Sequence, residues 1–528
     1  MPDADTSAAG PAPAREARRR TLHFWLLLPT GMAAALRFWG IGDESLWEDE
    51  AASVLYTRLP LHTLLGSCVD PGNPPLYRAL LKAWIALFGD GEAGVRSLSA
   101  CFGVAAVHVT GLLGRKLSGS ARVGWAAAML LALAPQHVFF SQETRAYTLS
   151  GLLGLLSTLG LLRLLREPNA ANGAVYAVLA AAVPYVHFQG FVLLAGQFAG
   201  ALLWTLMPPR ARPSRSAAAW LLAAAALTAP CVMLYMRPGL LAPGGYSFWQ
   251  GPASWHGMAT MLVEWTLGHP AARRVPAELS AGQIALLLIA LLFPAAIAWL
   301  ASRGARREWL LYLGVLYGAI AAFLVLTTWK PVWQPKYLNM LQPLYLVGAA
   351  WSVRAVGMGL RLRAVAAEGI VALALVLAAA VWLAPALWEQ RARPWRPDYR
   401  GARAAIAVRD PSGAAPIFVY RTSYLAVEYY EARSRGQRDG LEIPSGNLAE
   451  GEVLRRLAAQ RSPRVIEFLD AGRLPELIAE AVREYKGAFI VVSESQAGAA
   501  WREVLLGGAG ERRLVSETWR VHVAYAWR

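Results

Sequence analysis

Residues 21–50 read TLHFWLLLPTGMAAALRFWGIGDESLWEDE. An apolar run from about 21 to 41 is followed by five acids within the eight positions from Asp43 to Glu50. A run of that length matches the roughly 20 residues that cross a hydrocarbon core about 30 Å thick. No small-residue cleavage site lies near its end, so it reads as a first transmembrane helix and not as a signal peptide. The polar segment 1–20 before it, with Arg15, Arg18, Arg19 and Arg20, reads as a disordered cytoplasmic tail.

Further apolar stretches of similar length fall at about 97–114, 122–140, 146–165, 173–188, 190–207, 217–236, 282–301, 308–328, 337–353 and 366–388. Composition agrees, with 56% hydrophobic and 16% charged residues against about 25% charged in a soluble domain. Basic residues gather in alternate loops: Arg115/Lys116/Arg122, Arg163/Arg166, Arg210/Arg212/Arg215, Arg303/Arg306/Arg307 and Arg354/Arg361/Arg363. The inside-positive bias then puts the N-terminus inside and the C-terminus outside. It also accounts for the net charge of +16 without nucleic acid as a partner. Of the three cysteines, Cys101 and Cys231 fall in apolar spans and Cys68 in a loop, a spacing that suggests neither a metal site nor a disulfide framework.

After Trp388 charges return, and 389–528 reads as alternating strands and helices. Strands are expected at 417–420, 464–469 and 488–493, and helices through 428–433 and 475–486. The expected fold is therefore a polytopic α-helical membrane protein, with about eleven transmembrane helices over 21–388. A soluble C-terminal α/β domain, 389–528, follows on the outer side.

Two outward loops are long, 42–96 and 237–281. In the first, Ser45 with Glu48 three residues on predicts a capping box opening a helix to about Arg58, which explains Glu48 structurally. Asp49 and Glu50 are left without that explanation, at a membrane mouth where a carboxylate can meet a headgroup. Next comes Asp70-Pro71-Gly72-Asn73-Pro74-Pro75-Leu76-Tyr77, extended by its prolines before an amphipathic stretch. At another outer mouth, Ser141-Gln142-Glu143-Thr144-Arg145-Ala146-Tyr147 sets Glu143 and Tyr147 on one helical face, with Arg145 pointing elsewhere. Trp329-Lys330-Pro331-Val332-Trp333-Gln334-Pro335-Lys336-Tyr337 adds two lysines on the side where the charge bias does not call for them. The bland reading of Arg145 and of both lysines is an interfacial anchor. The second long loop, with Tyr246, Trp249, Trp255, Trp265, His256 and His269, reads either as a segment lying on the headgroups or as a lid over a groove.

This order of motifs resembles the GT-C superfamily of polyprenyl-phosphate-dependent glycosyltransferases. The similarity runs over about 21–345, within the branch of bacterial protein mannosyltransferase-like and aminoarabinose transferase-like enzymes. The resemblance implies the GT-C fold, a bacterial cytoplasmic (inner) membrane, and a polyprenyl-phosphate sugar donor. A lipid, glycan or protein hydroxyl would be the acceptor. It implies Asp49 as general base with Glu50 beside it, and Pro75, Tyr77, Glu143, Arg145, Tyr147, Lys330, Lys336 and Tyr337 around the substrates. A divalent cation (Mg or Mn) on Asp49 and Glu143 is compatible with this chemistry but not required by it, since basic side chains alone can stabilise a monophosphate leaving group. A transporter or lipid-linked-sugar flippase is the alternative. Such carriers place ionisable groups near the bilayer midplane, whereas here, away from the span ends, almost no ionisable residues occur and Arg37, His108 and His137 are the exceptions. A non-catalytic scaffold leaves Asp49 and Glu50 without a role.

Overall fold

The computed structural model describes residues 24–66, 73–206, 215–236, 252–268, 271, 273–302, 305–329, 332–359, 364–420, 423–434, 465–468, 474–485, 487–497, 501–506, 511–518 and 520–527. The tail 1–20, Cys68, Tyr246, Trp249, His269 and Lys330 lie outside them.

Helices occupy the apolar stretches. Among the described residues, six are long and apolar enough to cross a membrane: Glu92–Ser118, Tyr147–Arg166, Ser216–Tyr235, Ala281–Leu300, Arg306–Trp329 and Ala366–Ala392. Ala170–Val186 and Gly190–Thr205 are apolar but shorter, as is the first helix, Leu27–Phe38, at 12 residues.

The expected span at 122–140 is two helices, Ala121–Leu133 and Pro135–Ser141, bent by 63°. Pro135 has no N–H to continue the ladder and drives Ala134 out of helical conformation, to ψ 112°. The bend frees carbonyls inside a low-dielectric core, where an unpaired polar group is costly. Arg37, fully buried, reaches across to repair it. It donates to Leu131 O at 3.0 Å and Ala132 O at 3.2 Å, and lies 2.8 Å from His137 Nδ1. Arg37 and His137, two of the three ionisable residues set away from the span ends, thus serve a helix break. The third, His108, is 3.2 Å from the Thr30 hydroxyl. The expected span at 337–353 also differs, opening as a 3₁₀ turn, Pro335–Leu341, before the helix Gln342–Ala350.

The described part of the second long loop holds a packed helix. Ser254 caps a helix, Trp255–Leu267, that packs on the 3₁₀ turn and on the broken span. Trp265 is 1% exposed and donates through Nε1 to Asn339 at 3.1 Å. Gln136 Nε2 donates to Glu264 at 2.9 Å.

The C-terminal region carries a five-stranded sheet in the order β2-β1-β3-β5-β4. Its strands are β1 (Ile417–Tyr420), β2 (Val465–Phe468), β3 (Gly487–Ser493), β4 (Glu511–Thr518) and β5 (Val521–Trp527). β1 runs parallel to β2 and β3, while β5 pairs antiparallel with β3 and β4. Alternation along a strand sends successive side chains to opposite faces. Phe418, Tyr420, Ile490 and Val492 pack with Leu474, Ile478 and Val482 of the helix Leu474–Tyr485. Ile417, Val419, Phe489 and Val491 instead join one buried cluster with Leu46, Leu55, Tyr77 and Leu98. The loop between the first two apolar stretches and the C-terminal sheet therefore share a core.

Candidate active site

The helix Glu48–Thr57 organises the site, and its cap is not the one expected. Glu50, not Glu48, reaches back to the Trp47 N–H, at 3.4 Å. Ser45 donates instead to Pro397 O at 2.7 Å, and Glu48 accepts from the Tyr399 hydroxyl at 2.5 Å. Local spacing pointed to the wrong carboxylate because both residues belong to contacts with distant parts of the chain.

Glu50 is fully buried. Arg96 grips it with two bonds, Nε to Oε1 at 2.8 Å and Nη2 to Oε2 at 2.7 Å. The Thr144 N–H donates to Oε1 at 2.9 Å, and Arg396 Nε lies 3.4 Å from Oε2. Burial raises the Glu50 carboxyl, but Arg96 and Arg396 more than offset it and hold the group below its ordinary value. Glu50 is a tie between the first loop, the helix Glu92–Ser118 and the 142–146 loop, with no face open to a substrate.

Asp49, one position earlier, turns the other way, with 39% of its side chain exposed. The Arg145 guanidinium lies 3.7 Å from its carboxylate and 3.4 Å from its backbone oxygen. Arg145 also donates to Ser53 Oγ and Asn73 Oδ1, each at 3.4 Å. It is 9% exposed, too buried for a side chain anchored at the headgroups. Residues 143–146 form a tight loop and the helix starts at Tyr147, so Glu143 and Tyr147 do not share a helical face.

Glu143 is 3% exposed, and its Oε2 has no hydrogen-bond partner among the described residues. Burial, then the Glu50 charge, push its carboxyl up to about 7 against the pull of Arg396, Lys336 and Arg145. The unfolded chain releases this proton near 4.5, the folded chain near 7. Between those values the folded state binds more protons, so stability falls as pH rises across that window and levels off above it. Glu143→Gln, neutral throughout, is expected to remove the slope and to be more stable than wild type at pH 8 by about 3 kcal/mol. Denaturation curves at pH 5 and pH 8 read this directly, and identical slopes for the two proteins would show that Glu143 ionises normally.

Lys336 enters from the 3₁₀ turn, half-buried. Burial lowers its ammonium, but Tyr147, Asp49, Tyr337 and Glu143 outweigh that and raise it above its ordinary value, so it stays charged. Tyr147 and Tyr337 join His187, Phe188 and Phe140 in an aromatic wall. His187 lies 5.8 Å from Tyr147 and 5.6 Å from Tyr337 between ring centroids. Tyr77 has a different place: its hydroxyl is 2.8 Å from Ser99 Oγ, and burial raises its phenol. Pro75 caps the helix Leu76–Phe88.

Asp49, Glu143, Arg145, Tyr147, Lys336 and Tyr337 thus converge, Glu50 and Tyr77 support them from behind, and Pro75 opens the neighbouring helix. Sequence reasoning missed Arg96, Arg396, Thr144 and His187. Arg96 had a usable signal, an arginine at the end of a span opposite the one where the basic pair Arg115/Lys116 gathers. Among the described residues no three His, Cys, Asp or Glu side chains converge as metal ligands. Asp49 and Glu143 are flanked by Arg145 and Lys336, a donor set that suits an anion better than a divalent cation.

No family model matches the chain, and no curated protein matches it in sequence. Its structure is similar to that of ArnT from Cupriavidus metallidurans bound to undecaprenyl phosphate. The TM-score is 0.56 at 16% identity, over 95% of this chain and 98% of the other. It is likewise similar to the apo state of that protein, with a TM-score of 0.57 at 16% identity over 95% and 97%. The chain therefore has the fold of ArnT, the GT-C membrane fold.

Proposed function

We propose that the protein is a membrane glycosyltransferase that moves a sugar from a polyprenyl-phosphate donor to an acceptor hydroxyl, with inversion. One observation carries the reading: the half-exposed Asp49 carboxylate lies 3.7 Å from the Arg145 guanidinium and within the field of the Lys336 ammonium. The fold supports it, since one of the similar ArnT structures holds undecaprenyl phosphate.

In this reading Asp49 accepts the proton of the acceptor hydroxyl as its oxygen bonds to the anomeric carbon. The bond from that carbon to the phosphate oxygen breaks, and the lipid phosphate leaves with an added negative charge. Arg145 and Lys336, already in place, stabilise that charge without reorganising. Glu143 in its protonated form donates to a sugar hydroxyl, and Tyr147, Tyr337 and His187 offer faces for the sugar ring. Lys330 is proposed as a further cation at this mouth, and the site as facing outward from a bacterial inner membrane with the N-terminus cytoplasmic. The acceptor is a lipid, a glycan or a protein hydroxyl.

The direct test incubates the purified protein with a panel of undecaprenyl-phosphate pentoses and hexoses and measures undecaprenyl phosphate by mass spectrometry. Lipid-linked sugars and envelope glycans of a deletion strain are compared in parallel. Absence of release from every donor, with unchanged envelope glycans, would overturn the reading.

A charge-assisted hydrogen bond contributes about 1.5–3 kcal/mol, so Lys336→Met or Arg145→Met is expected to lower kcat/KM by roughly ten- to a hundred-fold. Lys336→Arg keeps the charge and much of the activity. Kinetics in detergent with a short-chain donor read the difference, because loss of a mere membrane anchor leaves catalysis intact there. Wild-type kcat/KM in both methionine variants would remove the phosphate role.

A further inference from the structure

The last membrane helix runs into Arg393-Pro394-Trp395-Arg396-Pro397-Asp398, with a proline on each side of the Trp395-Arg396 pair. This turn touches both the first outward loop and the 142–146 loop. The Trp395 N–H donates to the Glu44 carboxylate, and the Arg396 N–H lies 3.3 Å from the same oxygen. The Arg396 side chain, 8% exposed, sends its three nitrogens to three places. Nη1 donates to Glu44 Oε2 at 2.5 Å, Nη2 to Gln142 O at 2.9 Å, and Nε is 3.4 Å from Glu50 Oε2. Gln142 directly precedes Glu143, and Glu50 holds the Thr144 N–H two positions on. The loop that carries Glu143 and Arg145 is therefore pinned on one side by Arg396 and in the middle by Glu50.

We propose that Arg396 is a positioning residue for the transfer site, through which the docked C-terminal domain holds Glu143 and Arg145 in register with Asp49. The inference rests on the function proposed above. Docking alone does not need the Gln142 bond. The domain is already held on the first loop by Tyr399 on Glu48, by Tyr430 on the Leu46 N–H, and by Arg400 and Arg433 on Glu92. Gln142 belongs to a different loop, and its bond ties the domain directly to the backbone next to the acid and cation there. An arginine suits the task because its planar fork serves separated acceptors at once, whereas a lysine ammonium acts as a point charge.

The test uses the full chain in detergent with Arg396→Lys and Arg396→Met. Hydrogen exchange is followed at the Thr144 amide, and kcat and KM are measured with the undecaprenyl-phosphate sugars of the panel. Arg396→Lys is expected to fold with an unchanged thermal midpoint, to exchange Thr144 about ten-fold faster, and to lower kcat about ten-fold with KM within about two-fold. Combined with Glu143→Gln, it costs less than the sum of the two, because Arg396 acts partly through Glu143. Wild-type exchange and kcat in Arg396→Lys overturn the inference, as does full additivity in the double variant. If Arg396→Met fails to fold, the lysine variant decides. If the wild type releases no lipid phosphate, the enzyme reading fails, while Thr144 exchange still reports whether Arg396 holds the loop.

Discussion

Asp49→Asn is expected to leave the protein folded and to lower kcat by about 10²–10⁴-fold, the range lost with a general base. Asparagine keeps the shape but cannot take a proton at neutral pH. Folding should survive because the Asp49 side chain is 39% exposed and Arg145 keeps its bonds to Ser53, Asn73 and the Asp49 backbone oxygen. KM for the donor should change little, since Arg145 and Lys336 remain. Glu48→Gln is the matched control. It weakens the bond from the Tyr399 hydroxyl, which should cost about 1–2 kcal/mol of stability while activity persists. Steady-state kinetics on both purified variants make the comparison, and wild-type turnover by Asp49→Asn would show that the base lies elsewhere.

The largest loss of stability is expected from Arg96→Met. Arg96 is 1% exposed and binds Glu50 through two nitrogens. It also donates to the backbone oxygens of Ile41 at 3.1 Å, Glu44 at 2.7 Å and Ser45 at 2.9 Å. Removing it strands a buried carboxylate, which costs about 3–5 kcal/mol, and leaves three carbonyls of the first loop without this donor. The variant should give little monodisperse protein and unfold several degrees earlier by scanning fluorimetry in detergent. Adding Glu50→Gln should restore part of the midpoint, since the stranded charge is then gone. A wild-type midpoint in Arg96→Met alone would mean that Glu50 is held without its partner.

The membrane half was legible because its signal is local. Lipid demands runs of apolar residues whatever lies next to them, and helices Tyr147–Arg166 and Arg306–Trp329 sit within a residue or two of the stretches read at 146–165 and 308–328. The strand at 417–420 and the helix Leu474–Tyr485 were legible for the same reason. The helix Tyr399–Arg409 and strands β4 and β5 were not, because Arg512, Arg513 and Glu517 mask a strand whose partner is found only in the fold. The break at Pro135 has a local cause in the proline itself, and what no local signal showed is that Arg37 would cap the freed carbonyls.

By itself the sequence determined that the chain is built from membrane helices with an α/β domain at its end. It also determined which short polar segments interrupt the apolar pattern, and hence where to look for chemistry. Only the tertiary structure decided what each polar residue does there. Asp49 and Glu50 are neighbours of the same chemical type, and no local rule separates them. Glu50 became a buried tie because Thr144, 94 residues away, gives it an N–H and Arg96 closes over it. Asp49 stayed open because the helix turns it toward the mouth that Arg145 and Lys336 line. Arg396 reached the site through Gln142, 254 positions earlier. Apolar burial follows composition, since it has no direction. A charge or a hydrogen bond takes its meaning from the one partner it faces, and that partner is set by the fold.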